Sequence, residues 1–501
     1  TEPFNTSIIG LYMSTGLNLM AAMEGFELDH ITKCDYDKAN YTCDFWWAGG
    51  WIDTASFPLY MTTIASLLQA LLYIGLGTLA DHSNYRKRFL LFFALLGGAS
   101  CICLLGVRRS SLINTAAALY ILASIGYGCS LVFYYAYIPL LARAHPRTIY
   151  RKLSEAYNGL AIPESLAKTK LLKQKKADKD AAHSSVVVEE FVTNKLSALG
   201  NLWMNLAAVI VLGIGVGVLA VMEDQMYAMM IGSAVVGLWW LLFTIYPMMQ
   251  LQERPGPPLP AGTNKWTFPL KSFKQTCQDV WRLPETLKFL VGWFLLADSM
   301  NTIMTVTSLF AQSVINMNED DLAIGILIAP ITSMIGAFGF SLLQERFNYR
   351  TRTLILVVVF MSSLLGLYVI IGFGTSAWGF NHSAEFYPLV AYFGIVNGAS
   401  IALTRAQFVE LCPPGMEAEF FSLFRITDKG SAFIGPLVAA GINTASHNLR
   451  FAYVWCFVLF LVSGLFFFWC DPKKGREDAI ELGRQNGFTE EDLSAKPKAF
   501  L

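Results

Sequence analysis

Charged residues are scarce in this chain. Asp, Glu, Lys and Arg account for 15% of its 501 residues, whereas 54% are hydrophobic and the mean hydropathy is +0.46. An ordinary soluble domain carries about 25% charged residues, so the composition excludes a soluble globular protein. A transmembrane helix needs about 20 consecutive, mostly apolar residues, and many stretches meet that requirement. The chain is therefore predicted to be a membrane protein with several spans.

Residue patterns that mark many enzymes are also missing. The sequence contains no complete P-loop, no zinc-ligand spacing and no Gly-x-Ser-x-Gly elbow, and none of its six histidines lies deep in an apolar segment. Each of those patterns supplies a chemical group that its reaction requires. We therefore expect no enzyme activity, no direct use of ATP, no metal and no cofactor. Nucleic-acid binding is not expected either, because the Lys/Arg clusters stand directly beside apolar segments.

Twelve apolar segments, six in each half, are long enough to cross a membrane. The sequence thus predicts an all-α membrane protein of twelve transmembrane helices. The first span is polar, with Asn5, Ser14 and Asn18, and is expected to face a cavity rather than lipid. The predicted spans are 4–23, 51–80, 89–106, 114–140, 196–219, 226–246, 287–310, 323–343, 353–373, 387–408, 420–442 and 451–470.

The spans define the predicted organisation of the chain. The chain begins at Thr1 rather than Met, and we expect a further segment to precede it. A Pro-rich stretch between the halves is typical of a semi-rigid linker. The predicted parts are an N-terminal six-helix half (1–246) with a long cytosolic loop (141–195), a cytosolic linker (247–286), a C-terminal six-helix half (287–470) and a polar, mobile cytosolic tail (471–501).

The cationic residues are sorted by loop. With the N-terminus in the cytosol, 29 Lys/Arg residues fall on the cytosolic side and 5 on the opposite side, or 18 against 5 without the 141–195 loop. This distribution satisfies the positive-inside rule and predicts that both termini are cytosolic. The sequons at Asn40 and Asn381 then lie on the luminal side and are predicted glycosylation sites. Cys34 and Cys43 share a luminal loop, where an oxidising compartment would allow a disulfide.

The 141–195 loop contains a Lys-rich run between 168 and 176. Such a run is typical of a solvated loop or of one that lies on an anionic lipid surface. A regulatory docking site is the alternative, and the sequence leaves the two open.

A short basic motif occurs once in each half. Asn84-Tyr85-Arg86-Lys87-Arg88 and Asn348-Tyr349-Arg350-Thr351-Arg352 share four of five residues, and each has an acid just upstream, Asp81 or Glu345. Both copies fall in cytosolic loops, after the second span and after the eighth. A duplicated turn at equivalent positions is what a transporter built from two parallel repeats would contain.

The first copy resembles the signature of the major facilitator superfamily between its second and third helices. The resemblance lies in Gly77, Leu79, Ala80 and Asp81 ahead of the basic cluster, whereas Asn84-Tyr85 departs from the glycine that this signature prefers. Gly77 would let two helices approach closely, and Asp81 can pair with a nearby base or a helix N-terminus. Gly77, Asp81, Arg86 and Lys87 are therefore candidates for a cytosolic latch. The alternative is that the basic residues only fix the topology.

Further stretches resemble the fungal autophagy-related protein 22 family, whose members are vacuolar amino-acid effluxers of the major facilitator superfamily. The most specific part runs from the Glu-Ala-Glu-Phe-Phe sequence to a Gly-Pro pair. The stretches that carry the resemblance are Glu2-Pro3-Phe4, Trp51–Phe57, Ala80-Asp81-His82, Arg405–Phe408, Pro414–Phe421, Ile426–Ser431 and Gly435-Pro436-Leu437.

This resemblance implies a function that the composition does not show. It implies export of leucine and other neutral amino acids, released by autophagic protein degradation, from the vacuole to the cytosol by alternating access. The implied setting is a multi-pass protein of the vacuolar membrane, and we expect a monomer. Two alternatives stay open: a transporter of another small solute or in another membrane, and a non-transporting membrane scaffold or sensor.

Asp298 is the leading candidate for a functional charge inside the membrane. It lies near the middle of the seventh span, and Asn301 follows three residues later on the same helical face. A charge at this depth costs about 2.5 kcal/mol or more, so it needs a function or a partner. A carboxylate here would hold a substrate ammonium group or a coupling proton; an ion pair with a neighbouring helix is the alternative.

The eleventh span carries three charges on one face: Arg425, Asp428 and Lys429. Arg425 can pair with Asp428, which would leave Lys429 to bind a substrate carboxylate, with Asp298 at the ammonium end. The alternative is that these side chains only gate or pack near the cytosolic end. In the same span, Gly430, Gly435 and Pro436 predict a break or kink.

Two further charges lie near the ends of spans. Asp53 is at the luminal end of the second span and Arg405 near the cytosolic end of the tenth. Both are predicted to be gate or interface residues rather than central ligands.

Overall fold

A computed structural model of the chain shows a helical membrane protein. The two compact units into which it divides are Thr1–Tyr134 with Met204–Leu270, and Tyr135–Trp203 with Lys271–Leu501. The structure describes residues 12–27, 29–35, 43–54, 56–82, 85–150, 185–222, 224–251, 268–313, 315, 317, 319–375, 378–431, 434–446 and 448–486.

Long helices make up most of the first unit. Two of them are 31 and 37 residues long, and each has one part in the first unit and one part in the second. The helices are α1 (Ser14–Glu24), α2 (Phe57–Ala80), α3 (Tyr85–Cys103), α4 (Ile113–Arg143), α5 (Ser185–Val221) and α6 (Gln225–Gln250).

Glycines set the approach of α3 to α6. A Cβ at Gly97 would collide with the Trp240 ring, and one at Gly237 would meet Cys101 and the carbonyl of Gly98. Small residues at such contacts are the usual basis of close helix packing in membranes. The first turn of α6 is capped by Asp224, whose side chain accepts a hydrogen bond from the backbone N–H of Tyr227.

A small antiparallel sheet precedes α2 on the predicted luminal side. Its strands are β1 (Phe26–Glu27), β2 (Cys43–Trp47) and β3 (Gly50–Asp53), and Trp46 pairs with Trp51 across β2 and β3. The connecting residues Ala48 and Gly49 both have positive φ, as a two-residue hairpin requires. The predicted second span at 51–80 therefore began too early, since 50–53 form a strand and the helix begins at Phe57.

The second unit contains the remaining helices. In its centre, α11 packs against α9 across Gly336, Gly394 and Gly398, where an added Cβ would collide with the facing helix. The helices are α7 (Phe268–Arg282), α8 (Pro284–Ser313), α9 (Glu319–Phe347), α10 (Thr351–Ile371), α11 (Phe386–Glu410), α12 (Glu417–Ser431), α13 (Ile434–Ser446), α14 (Arg450–Trp469) and α15 (Pro472–Gln485).

The all-α membrane architecture predicted from the sequence is confirmed. Within the described ranges, ten helices are long and apolar enough to cross a membrane. The first predicted span is described only from residue 12 onward, and the eleventh is divided into α12 and α13, so neither counts among the ten. Residues 432–433, between α12 and α13, lie outside the described residues, so the kink predicted from Gly430, Gly435 and Pro436 stays a prediction.

Two segments outside the spans contain helices that the sequence did not predict. The tail, expected to be mobile, forms α15 over 472–485, and part of the linker forms α7 over 268–282. The Lys-rich part of the 141–195 loop lies outside the described residues, as do the Pro-rich stretch of the linker and the sequon at Asn40.

Candidate functional site

Asp298 is buried in α8 and touches the start of α13. Its side chain is 3% exposed, and its Oδ1 accepts a hydrogen bond of 2.8 Å from the backbone N–H of Gly435. The first N–H groups of a helix have no partner within the helix and carry partial positive charge, so they favour a nearby carboxylate. Within the described ranges, Asp298 contacts a helix N-terminus and forms no ion pair with a basic side chain.

Gly435 allows α13 to begin directly against α8. A Cβ at this position would collide with Thr302 Oγ1 and would lie 2.7 Å from Asp298 Oδ1. Thr302 follows Asp298 by one turn, is fully buried, and its hydroxyl has no hydrogen-bond partner among the described residues. A buried carboxylate and a buried hydroxyl thus face the start of a helix inside the membrane-spanning part of the fold.

The same face of α8 continues as a polar stripe. Asn301 and Thr305 are exposed and Ser308 is half-buried, each one turn from the next. Polar side chains exposed at membrane depth are expected to face a water-filled cavity rather than acyl chains. Asp298 and Asn301, which the sequence predicts on one face, therefore differ in environment: the carboxylate is buried and the amide is accessible.

The end of α12 and the start of α13 both rest on α8. Trp293 stacks on Phe424 of α12 with ring centroids 5.1 Å apart, and the position of a Cβ at Gly430 would be 3.8 Å from Phe294. The next turn of α8 carries Asp298, which holds α13. One stretch of α8 therefore supports the end of α12 and the start of α13.

Arg425 and Arg405 meet at one aromatic ring. Arg425 is 2% exposed and donates to Asp428 Oδ2 at 2.7 Å, while Asp428 and Lys429 are half-buried. The guanidinium carbons of Arg405 and Arg425 lie 4.1 Å and 6.0 Å from the ring centroid of Tyr135, within the range of a cation–π interaction. The sequence predicted a role for each arginine but no contact between them, and it gave no reason to single out Tyr135.

The first basic motif forms a buried ion pair within the first unit. Arg86 Nη2 lies 2.5 Å from Asp81 Oδ1, and both side chains are buried. Lys87 Nζ donates to the backbone carbonyl of Leu251 at 2.6 Å. Gly77, four residues before Asp81, is also buried. Asp81 and Arg86, two of the candidates for a cytosolic latch, are therefore in contact.

The second motif uses different partners. Arg350 Nη1 lies 3.2 Å from Glu190 Oε2, and the backbone N–H of Thr351 donates to the same carboxylate at 2.5 Å. The upstream acid Glu345 pairs instead with Arg147 at 3.3 Å. The two copies therefore share their place in the sequence repeat but not their ion pairs.

A charge network that joins α4, α5, α12 and α15 in the second unit was missed by sequence reasoning. Glu189 contacts Arg143 at 3.7 Å and Arg476 of α15 at 3.0 Å, and Arg143 also reaches Glu417 at 3.0 Å. Burial disfavours the charged form of Arg476, but Glu189, Glu410 and Glu190 outweigh this effect and raise its pKa. The adjacent acids at 189 and 190 could have indicated this network, because they interrupt an otherwise apolar segment and so need partners.

Asp53 and the two cysteines stabilise the local structure that precedes α2. Asp53 Oδ2 accepts hydrogen bonds from the backbone N–H of Ser56 at 3.1 Å and from its hydroxyl at 3.0 Å, just before α2. Cys34 and Cys43 are joined by a disulfide that ties the preceding turn to β2.

Asn381 is held by its side-chain amide. Its Nδ2 donates to the carbonyls of Thr375 at 3.0 Å and Trp378 at 2.7 Å, and its Oδ1 accepts from Arg450 at 2.5 Å. Nδ2 is the atom to which a glycan would be attached. These contacts hold the Asn381 side chain in place, and its glycosylation stays a prediction.

Comparison with known proteins identifies the family and the fold. The family model "Vacuole effluxer Atg22 like" matches residues 1–480. Autophagy-related protein 22 of Coccidioides immitis is 32% identical, over 96% of this chain and 86% of its own length. The protein of the same name from Gibberella zeae is 30% identical, over 88% of this chain and 72% of its own length.

Two solved transporters of the major facilitator superfamily have the same fold. The proton:xylose symporter XylE matches with a TM-score of 0.56 at 12% identity, over 96% of this chain and 98% of its own. The Escherichia coli fucose:proton symporter FucP matches with a TM-score of 0.52 at 13% identity, over 94% of each chain. The fold and the family both indicate a transporter rather than an enzyme. The chain belongs to the Atg22 family of vacuole effluxers and has the major facilitator fold.

Proposed function

We propose that the protein exports amino acids from the vacuole to the cytosol by alternating access. Its substrates would be leucine and other neutral amino acids released by autophagic protein degradation. Membership of the vacuole effluxer family and the transporter fold support this proposal. The observation that carries the substrate class is the buried carboxylate of Asp298 at the start of α13, beside a stripe of accessible polar side chains.

A zwitterionic amino acid needs one anionic and one cationic partner in its site. Asp298 is proposed to bind the substrate ammonium group, and Asn301 to line the same face. Lys429 is proposed to bind the carboxylate, because Arg425 already donates to Asp428 at 2.7 Å. The apolar side chain of leucine requires no charged partner, so the charges would select the amino-acid backbone and leave the side chain to apolar surfaces.

Proton coupling is proposed to use the same carboxylate. Protonation of Asp298 would remove its charge and weaken its attraction for the N-terminus of α13. Because α12 and α13 both rest on α8, this change would act on both helices. A proton and a substrate ammonium group would thus compete for one carboxylate, as exchange or coupled transport requires.

The proposed gates lie at the ends of the spans. On the cytosolic side they are the Gly77, Asp81, Arg86 and Lys87 turn and Arg405; on the luminal side the candidate is Asp53. The ion pair of Asp81 with Arg86 supports a latch, since breaking a buried pair leaves an uncompensated charge and costs about 3–5 kcal/mol. The sorting of Lys and Arg supports a vacuolar-membrane orientation with both termini in the cytosol.

Efflux from vacuolar vesicles tests the proposal. Vesicles from cells that lack the protein would be loaded with radiolabelled leucine and compared with vesicles that carry it. The expected result is faster leucine release only where the protein is present, with little release of a labelled sugar. Equal release from both kinds of vesicle would refute amino-acid export, and a fluorescently tagged chain outside the vacuolar membrane would refute the location.

A further inference from the structure

We propose that the cytosolic end of α14 is a binding site for the headgroup of an anionic phospholipid. Two cations from different helices converge there on consecutive backbone carbonyls. Arg352, at the start of α10, donates to the carbonyl of Phe468, and Lys288 of α8 lies 3.4 Å from the carbonyl of Trp469. These are the last two residues of α14.

Two carboxylates, those of Glu285 and Asp471, accompany the two cations, and each already accepts a hydrogen bond from a backbone N–H. Arg352 makes no ion pair with a carboxylate in the part of the chain that the structure describes. Lys288 pairs with Glu285 at 2.8 Å, but Glu285 is buried and also accepts from the backbone N–H of Asp471. A guanidinium has five N–H donors and an ammonium three, so both cations retain donors after these contacts.

The surroundings select a lipid rather than a soluble anion. Phe468 and Trp469 are 59% and 60% exposed, and Leu465 and Phe360, on α14 and α10, are exposed below them. Exposed apolar side chains on two spanning helices are expected to contact acyl chains, and tryptophan is enriched at the level of the headgroups. A ligand in this position would place a phosphate between the two cations and its acyl chains along α10 and α14. Basic pockets between spanning helices on the cytosolic side are known to bind the headgroups of anionic lipids.

The first unit contains a related arrangement. Lys87, at the start of α3, donates to the carbonyl of Leu251 at the end of α6, and Tyr246 and Met249 are exposed on the last turns of α6. In each half, a cation of the duplicated basic motif thus contacts the end of the sixth helix of that half. Attraction between a cation and a helix C-terminus accounts for this contact. The same attraction does not explain why a second cation, Lys288 of α8, also contacts the end of α14.

Thermal unfolding of the purified full chain in detergent, with and without added lipid, tests the proposal. A ligand that binds only the folded state stabilises it by RT ln(1 + [L]/Kd), so at a given lipid concentration tighter binding gives a larger rise in Tm. Phosphatidylserine is expected to raise the Tm of the wild type, whereas phosphatidylcholine and inorganic phosphate are not. The double variant Arg352→Gln/Lys288→Gln is expected to bind phosphatidylserine at least tenfold more weakly. The matched control is Arg346→Gln, an exposed arginine at the end of α9, which should bind like the wild type.

A charge-conserving variant keeps the test independent of folding. Arg352→Lys/Lys288→Arg is expected to retain most of the phosphatidylserine response, even if the glutamine variant proves less stable without lipid. An unchanged response in the glutamine variant would overturn the proposal. An equal response to phosphatidylcholine would overturn the requirement for negative charge. A response to inorganic phosphate alone would indicate a soluble anion site and would overturn the lipid assignment.

Discussion

Asp298 in α8 accepts a hydrogen bond from the backbone N–H of Gly435 in α13, although the two residues are 137 positions apart in the sequence. The bond places a carboxylate inside the membrane-spanning region, beside the first residues of α13. Satisfying the free N–H groups of a helix that begins within the membrane is a structural requirement. The same carboxylate is the proposed ligand of substrate and proton, so its structural and transport roles must be separated by experiment.

Gly435→Ala is expected to damage both stability and transport. Its methyl group would collide with Thr302 Oγ1 and crowd Asp298, and overpacking of this kind costs about 1–3 kcal/mol. Gly441→Ala is the matched control, because nothing lies within 4 Å of a Cβ at this position of the same helix. Thermal unfolding of the purified variants checks the prediction. Equal Tm values for the two variants would show that α13 does not begin tightly against α8.

Arg476→Ala is expected to release α15 from its contact with α5. Arg476 lies 3.0 Å from Glu189, and a hydrogen bond to a charged group contributes about 1.5–3 kcal/mol. Hydrogen exchange of the 472–485 backbone should then be about 10-fold to 100-fold faster, since about 1.4 kcal/mol corresponds to a factor of ten. Lys473→Ala, an exposed cation at the start of the same helix, should leave exchange unchanged. Unchanged exchange in Arg476→Ala would mean that apolar packing alone holds the helix.

Ser383→Ala and Asn381→Ala are expected to behave differently, although both remove the second sequon. Ser383 is exposed, so its loss should leave stability unchanged while removing the glycan predicted at Asn381. Asn381→Ala removes the same glycan, but it also removes the contacts to Thr375, Trp378 and Arg450 and should destabilise the chain by about 1–3 kcal/mol. Gel mobility before and after glycan removal, together with thermal unfolding, measures both effects. An unchanged glycan mass in Ser383→Ala would contradict the predicted glycosylation of Asn381.

The spans could be predicted from the sequence because their signal is local. Apolar runs and the sorting of Lys and Arg identify membrane helices wherever the neighbours lie. The same signal gave the wrong start for the second span, at residue 51, because Trp51 and Ile52 are as apolar as the helix that follows. Alternation of inward and outward residues in β2 and β3 is too short to stand out beside a long apolar run.

Long-range contacts explain most of what the sequence did not reveal. Glu189 and Arg476 are separated by 287 positions, and no local pattern links them. The tail helix is polar overall and docks through small residues, with Gly475 against Leu411 and Glu285, so its charge pattern predicted a mobile tail. For Asp298 the charge could be recognised from the sequence. Its partner could not, because that partner is a backbone N–H and any residue supplies one.

Leucine counterflow in proteoliposomes that contain the purified Asp298→Asn variant is the most direct measurement. Asparagine keeps an oxygen that can accept the hydrogen bond from Gly435 but carries no charge. The variant is therefore expected to unfold at nearly the wild-type Tm and to transport leucine at least tenfold more slowly. Wild-type transport by a folded Asp298→Asn variant would contradict the assignment of Asp298 as the substrate or proton ligand and would leave it only the role of holding α13.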